Sequence, residues 1–101
     1  MSTKVMRGKY RAFVFIDVAP GEDRKVAEKL LKYDEVVEVH MITGEYDILA
    51  VLEFEIYAKQ IFTSFQETAS KFVLDKIRRL GSVQDTNTII PSLSLSKEDQ
   101  V

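Results

Sequence analysis

Two kinds of apolar spacing alternate along this chain of 101 residues. Residues 10–18, Tyr-Arg-Ala-Phe-Val-Phe-Ile-Asp-Val, are aromatic and β-branched, which predicts a strand ended by Ala19-Pro20-Gly21. From 22 to 33 the apolar residues Val26, Ala27, Leu30 and Leu31 fall on one stripe at helical spacing. Glu22 and Asp23 begin that stretch and Lys29 and Lys32 end it, matching the helix dipole, so an amphipathic helix of about three turns is expected. Strand spacing returns over 36–42 and again over 47–53, the latter with room to continue through Phe54-Glu55-Ile56-Tyr57. Ser64-Phe65-Gln66-Glu67 has the form of a capping box. After it Ala69, Phe72, Val73, Ile77 and Leu80 make a second helical stripe, with Gly81 as its stop. The last long strand is expected over 83–90, closed by Pro91. Ser92-Leu93-Ser94-Leu95-Ser96 alternates with period two and reads as an edge strand, and 97–101 is expected to fray.

The order strand-helix-strand-strand-helix-strand is the ferredoxin-like βαββαβ arrangement, an α+β fold with both helices on one face of a four-stranded antiparallel sheet. A sheet with one wet face should alternate apolar and polar residues. These strands do not: 12–16 and 48–52 are apolar throughout. Neighbouring strand residues point to opposite faces, so the face without helices also needs cover. The same face of a second subunit supplies it, which predicts a face-to-face homodimer, a dimeric α/β barrel. With no repeat, linker or composition shift, the chain reads as a single domain over 1–101, with a core over 10–91 and a tail over 92–101.

Composition narrows the function more than the fold. No apolar run approaches the ~20 residues that cross a bilayer, and Met1-Ser2-Thr3-Lys4 opens no apolar signal segment. Cysteine is absent, which removes disulfides and thiol chemistry and fits a cytoplasmic setting. Net charge is −2, and the basic trio Lys76, Arg78 and Arg79 falls where cations complement a helix C-terminus, which argues against direct nucleic-acid binding. His40 is the single histidine; without cysteine it builds no ordinary zinc or haem site and reads as a packed, hydrogen-bonded strand residue. Neither a Gly-rich phosphate loop nor a Gly-x-Ser-x-Gly nucleophile motif is present, so no cofactor is expected.

The candidate chemistry gathers in Met-Ile-Thr-Gly-Glu-Tyr-Asp-Ile-Leu-Ala, residues 41–50. Its smallest solution is a two-residue type II′ hairpin with Gly44 and Glu45 at the centre, since that turn needs positive φ at its first central residue. Asp47 then opens an apolar strand, where its carboxylate either fixes nearby amides or accepts an ammonium group. Glu45 and Asp47 form no acid–base pair across a bending turn. Thr86 and Thr88 share one face of the last strand; they read as ordinary strand chemistry or as the lining of a small polar pocket.

The segment Val-Val-Glu-Val-His-Met-Ile-Thr-Gly-Glu-Tyr-Asp-Ile-Leu-Ala-Val-Leu-Glu-Phe, followed by a helix and Leu-Gly-Ser-Val-Gln-Asp-Thr-Asn-Thr-Ile-Ile-Pro, resembles the ligand-binding (RAM) module of the Lrp/AsnC regulators. The resemblance rests on Thr43-Gly44-Glu45-Tyr46-Asp47 and on Gly81-Ser82-Val83 leading into Thr86-x-Thr88, and it covers 10–91. It implies dimers that join into rings, usually tetramers of dimers, with an amino-acid effector seated between them. It further implies ligand contacts by the Gly44 amide, Tyr46 and Asp47, with Thr86 and Thr88 lining the cavity and Met41 and Thr43 as secondary candidates. Members of the family usually carry an N-terminal helix-turn-helix domain. With only about nine residues before the first strand, a stand-alone module is expected, acting through a DNA-binding relative. The stretch 54–63 is longer than the family's usual connection, and Tyr57, Ile61 and Phe62 are expected to extend the hairpin or add a contact surface. A structural ring without effector, and a small dimeric α/β-barrel enzyme using His40, stand as alternatives.

Overall fold

The computed structural model describes residues 4–5, 9–55, 62–92 and 95–97. In chain order the elements are β1 (Lys4–Val5), β2 (Lys9–Val18), α1 (Asp23–Leu30), β3 (Val36–Met41), β4 (Ile48–Glu55), α2 (Phe62–Phe72) with a π-helical continuation (Val73–Ile77), β5 (Val83–Ile89) and β6 (Leu95–Ser96). The main sheet has the order β3-β4-β2-β5 with every neighbouring pair antiparallel, the ferredoxin-like topology expected from the sequence.

Strand alternation sorts the two central strands cleanly. Ala12, Val14, Ile16 and Val18 of β2 pair across to β4 or β5 and bury against the helices, joined by Ile48, Ala50 and Leu52 of β4. The helices contribute Val26, Ala27 and Leu30 from α1 and Phe65, Ala69, Phe72, Val73 and Ile77 from α2 and its continuation. The opposite, open face carries Phe13 and Phe15 of β2 beside Val51 and Leu49 of β4, with Ile89 of β5 46% exposed at the margin. Both faces of the centre are therefore apolar, as the unbroken apolar runs require.

Rings close one end of the helix-facing layer. Tyr10 and Phe54 are cross-strand neighbours; Tyr10 stacks on Phe65 at 4.6 Å, and Phe54 meets Phe65 and Phe72 edge-on at 5.7 and 5.9 Å. Tyr33 completes the cluster against Phe72 at 5.6 Å. Aromatic pairs in such tilted geometries add stabilisation beyond their buried area.

Several local expectations are corrected. Helix α1 ends at Leu30 rather than 33, because the amides of Lys32 and Tyr33 reach only three residues back, to Lys29 and Leu30, and tighten the last turn. Leu31, counted in the apolar stripe, is consequently 54% exposed. Helix α2 has already formed at Phe62, so Ser64 lies inside it and not at its cap; burial of Phe65 among rings draws the preceding turn into the helix. After Phe72 the helix widens, with the Arg78 amide donating to the Val73 carbonyl five residues back, and Val73 and Ile77 both stay inward. The alternating tail does form a strand at Leu95–Ser96, but it pairs with Lys4–Val5 in a separate two-stranded ribbon and not with the edge of the main sheet. The expectations on Tyr57, Ile61 and 98–101 lie outside the described residues.

Candidate functional site

The hairpin between β3 and β4 lies at the end of the sheet away from the rings. Its register, with Met41 opposite Ile48, is centred between Gly44 and Glu45 as the sequence implies. The turn is wider than a two-residue hairpin, however. The last cross-strand bond runs from the Ile42 amide to the Asp47 carbonyl at 2.9 Å, and residues 43–46 form an open loop. Gly44 sits at φ 142°, far from the ~60° of a type II′ turn yet still in the region that favours glycine. Space is no constraint there, since nothing lies within 4 Å of where a Cβ would stand.

Asp47 is the keystone of this end. Its carbonyl accepts from Ile42, the residue after β3, its amide donates to the Ile16 carbonyl of β2 at 3.0 Å, and its Oδ2 accepts from the Val18 amide at 3.0 Å. One residue thus ties the loop to both neighbouring strands. The Val18 amide is free for a side chain because the β2–β5 register shifts between Asp17 and Val18.

Asp17 completes an acidic group. It pairs directly with Asp85 on β5; Asp47 lines the same recess and its Oδ2 accepts from the amide of the next residue, Val18. A hydrogen bond to Asp47 raises the Asp17 carboxyl above its ordinary 3.8, helped by burial and by the charges of Asp47 and Asp85, against a smaller opposing effect of the Val18 amide. Asp47 is held below 3.8, first by the Val18 amide and then by Asp17, with burial acting the other way. Among the described residues, no lysine or arginine forms an ion pair with any of the three.

Residues 42–47 border two recesses. One, of about 400 Å³, is lined by Asp17, Asp47, Gln84 and the turn through Ala19, Pro20 and Gly21. The other, of about 340 Å³, lies on the open face and is lined by Phe15, Ile42, Thr43, Glu45, Tyr46 and Asn87. Tyr46 leans over Phe15 with ring centroids 5.6 Å apart. This arrangement offers carboxylates to a cation on one side and an aromatic floor with an amide to a mixed-polarity group on the other.

Of the candidate residues, Thr43 and Tyr46 line the open-face recess and Asp47 the acidic one, with Gly44 in the loop and in the lining of neither. Thr86 and Thr88 also line neither. They pair with Ile16 and Val14, so they stand on the helix-facing side, where Thr86 Oγ1 accepts from Arg78 Nη1 at 3.4 Å. The β5 residues that share a face with Phe15 are Asn87 and its neighbours Asp85 and Ile89. Met41 stands opposite Ile48 at the sheet edge, exposed and outside both recesses. His40 bonds Glu38 at 2.9 Å as a strand residue would, but it is 52% exposed on edge strand β3 and is not packed. Sequence reading overlooked Asp17, Phe15 and Asn87. The signal was available for Asp17, which ends one apolar strand where Asp47 begins its antiparallel neighbour; Asn87 needs the β2–β5 register, which no single strand encodes.

The sequence matches the family model of the Lrp/AsnC ligand binding domain over residues 11–101. It is 37% identical over 79 residues to the HTH-type transcriptional regulator FL11 of Pyrococcus furiosus, a stretch covering 78% of this chain and 46% of that relative. The chain spans about half the length of the curated relatives it matches, and those relatives are named transcriptional regulators. Among solved structures, a hypothetical protein of Pyrococcus horikoshii superposes with a TM-score of 0.64 at 31% identity, covering 83% of this chain and 90% of that one. A transcriptional regulator of Neisseria meningitidis in complex with L-Met superposes with a TM-score of 0.62 at 26% identity, covering 81% of this chain and 49% of that one. No described helix is long and apolar enough to cross a membrane.

Proposed function

Because the chain belongs to the Lrp/AsnC ligand-binding domain family, we propose that it is a non-enzymatic, cytoplasmic effector-binding and oligomerisation module in amino-acid-responsive transcription. The observation that carries this reading is that residues 42–47 border two recesses, one acidic at Asp47 and one aromatic at Tyr46. Exposed loop amides suit a carboxylate, and the Asp47 carboxylate suits an ammonium group. The L-Met held by the Neisseria meningitidis regulator supports an amino acid as the class of effector. Gly44, Thr43, Tyr46 and Asp47 are its proposed contacts. Thr86, Thr88 and Met41 take part only where a neighbouring subunit brings them to the ligand.

The open face supports the assembly half of the proposal. Phe13, Phe15, Leu49 and Val51 form its apolar centre, and a second copy placed face to face would cover them all, giving the dimer from which a larger ring, such as an octamer, is built. A ligand between dimers then acts by population shift, favouring one assembly by no more than its difference in affinity for the two. A DNA-binding relative in the same ring would carry the response to an operator.

A thermal-shift screen against the twenty amino acids tests the reading. Ligand at ~100 times its dissociation constant adds ~2.7 kcal/mol, worth several degrees in a domain of this size. A selective shift that disappears in Asp47→Ala is the expected result. If no amino acid shifts the protein, the module is a scaffold and the effector role falls.

A further inference from the structure

Two aspartates lie beside Asp17: Asp85 pairs with it directly on β5, and Asp47 lines the same recess with its Oδ2 on the adjacent Val18 amide. Like charges directly opposite each other across strands are destabilising, and no described lysine or arginine pairs with them. Asp23, at the start of α1, lines the same recess, but its Oδ1 already accepts from the Arg24 amide. Glu45 lies on the other recess. The charges facing Asp17 from the neighbouring strands are therefore all negative, and a proton is what relieves them.

We infer that Asp17 and Asp47 hold one proton between them, so that the base of the 42–47 loop is a pH-responsive latch with Asp17 as its positioning residue. The placement of the proton follows from the backbone. Asp47 receives the Val18 amide, which favours its ionised form, so the proton resides on Asp17 and its hydroxyl donates to Asp47. Protonated, Asp17 holds the Asp47 carboxylate against Val18. Ionised, it repels both Asp47 and Asp85 and loosens the contact that ties the loop to β2.

The two residues act in opposite directions on pH. The raised Asp17 contributes stability that is fully present below its unfolded value and is lost as pH rises through its folded value. The lowered Asp47 contributes stability that is present above its unfolded value and is lost as pH falls through its folded value. The latch is tightest around the ordinary carboxylate value of 3.8 and loosens on the neutral side. It needs no ligand and stands or falls apart from the effector reading.

The test is a carboxyl-carbon NMR titration of the whole chain from about pH 3 to about pH 8, with exchange of the Val18 amide followed after correction for intrinsic rates. The expected result is a coupled pair with one midpoint above and one below 3.8, and loss of Val18 protection across the upper step. Asp17→Asn keeps an N–H that donates to Asp47, so it should preserve the protection and flatten its loss toward neutral pH. Asp85→Asn leaves the pair intact and should move the upper midpoint down. Independent titration of Asp17 and Asp47 at ordinary values, or an unchanged Val18 profile in Asp17→Asn, would overturn the inference.

Discussion

Strands β2 and β4 run side by side from a ring cluster to an acid cluster. At one end Tyr10 and Phe54 pack with Phe65 and Phe72 in stacked and edge-on contacts. At the other end Asp17 and Asp47 share one recess open to solvent, and the chain holds its shape by bonds that converge on Asp47. Burial and ring contacts fix the first end in many small increments. A few directed hydrogen bonds fix the second, and each of these can be exchanged for a bond to something that binds. The division sets a core fixed by packing apart from a loop fixed by a few directed bonds.

The largest expected effect comes from breaking the ring end. Phe65→Ala removes the shared partner of Tyr10 and Phe54 and should cost about 3–5 kcal/mol, visible as a fall in Tm that does not depend on pH. At the loop, Gly44→Ala forces an ordinary residue to φ 142° without any clash; the cost should be about 1–3 kcal/mol, with the core contacts unchanged in NMR spectra. Asp47→Ala should lower Tm less than Phe65→Ala while loosening the Val18 and Ile42 amides, as hydrogen exchange would show. If Asp47→Ala instead unfolded the chain, the claim that the two ends are separable would fail. The smallest effect sharpens the contrast: His40→Ala, on the exposed edge, should leave stability within about 0.5 kcal/mol of the parent in denaturant melts.

One further variant probes the open face that joins the two ends. Phe13→Glu places a charge opposite Val51 at the apolar centre, and light scattering should report a shift to monomer if a second copy covers that face.

The fold was legible because its signals are local. Periodicity alone separated the strands from the helices, and the unbroken apolar runs at 12–16 and 48–52 correctly implied two apolar faces. Boundaries failed where tertiary contacts decided them. Ser64 looked like a cap, yet the burial of Phe65 extended the helix past it. The geometry of the candidate site was half legible. Gly44 and Asp47 announced the loop, but the face presented by β5 depends on its register with β2, which set Asn87 beside Phe15 and turned Thr86 and Thr88 toward the helices. Asp17 was passed over because a lone aspartate at a strand end carries no signal until its neighbours on both sides are known to be acidic.

Amide chemical-shift mapping of the uniformly labelled chain with each amino acid in turn tests most directly whether the acid end is the functional end. The division of labour predicts that at least one amino acid perturbs residues 42–47 together with Phe15 to Val18, while Tyr10, Phe54 and Phe65 stay still. Perturbations centred on the ring end, or none with any amino acid, would contradict it.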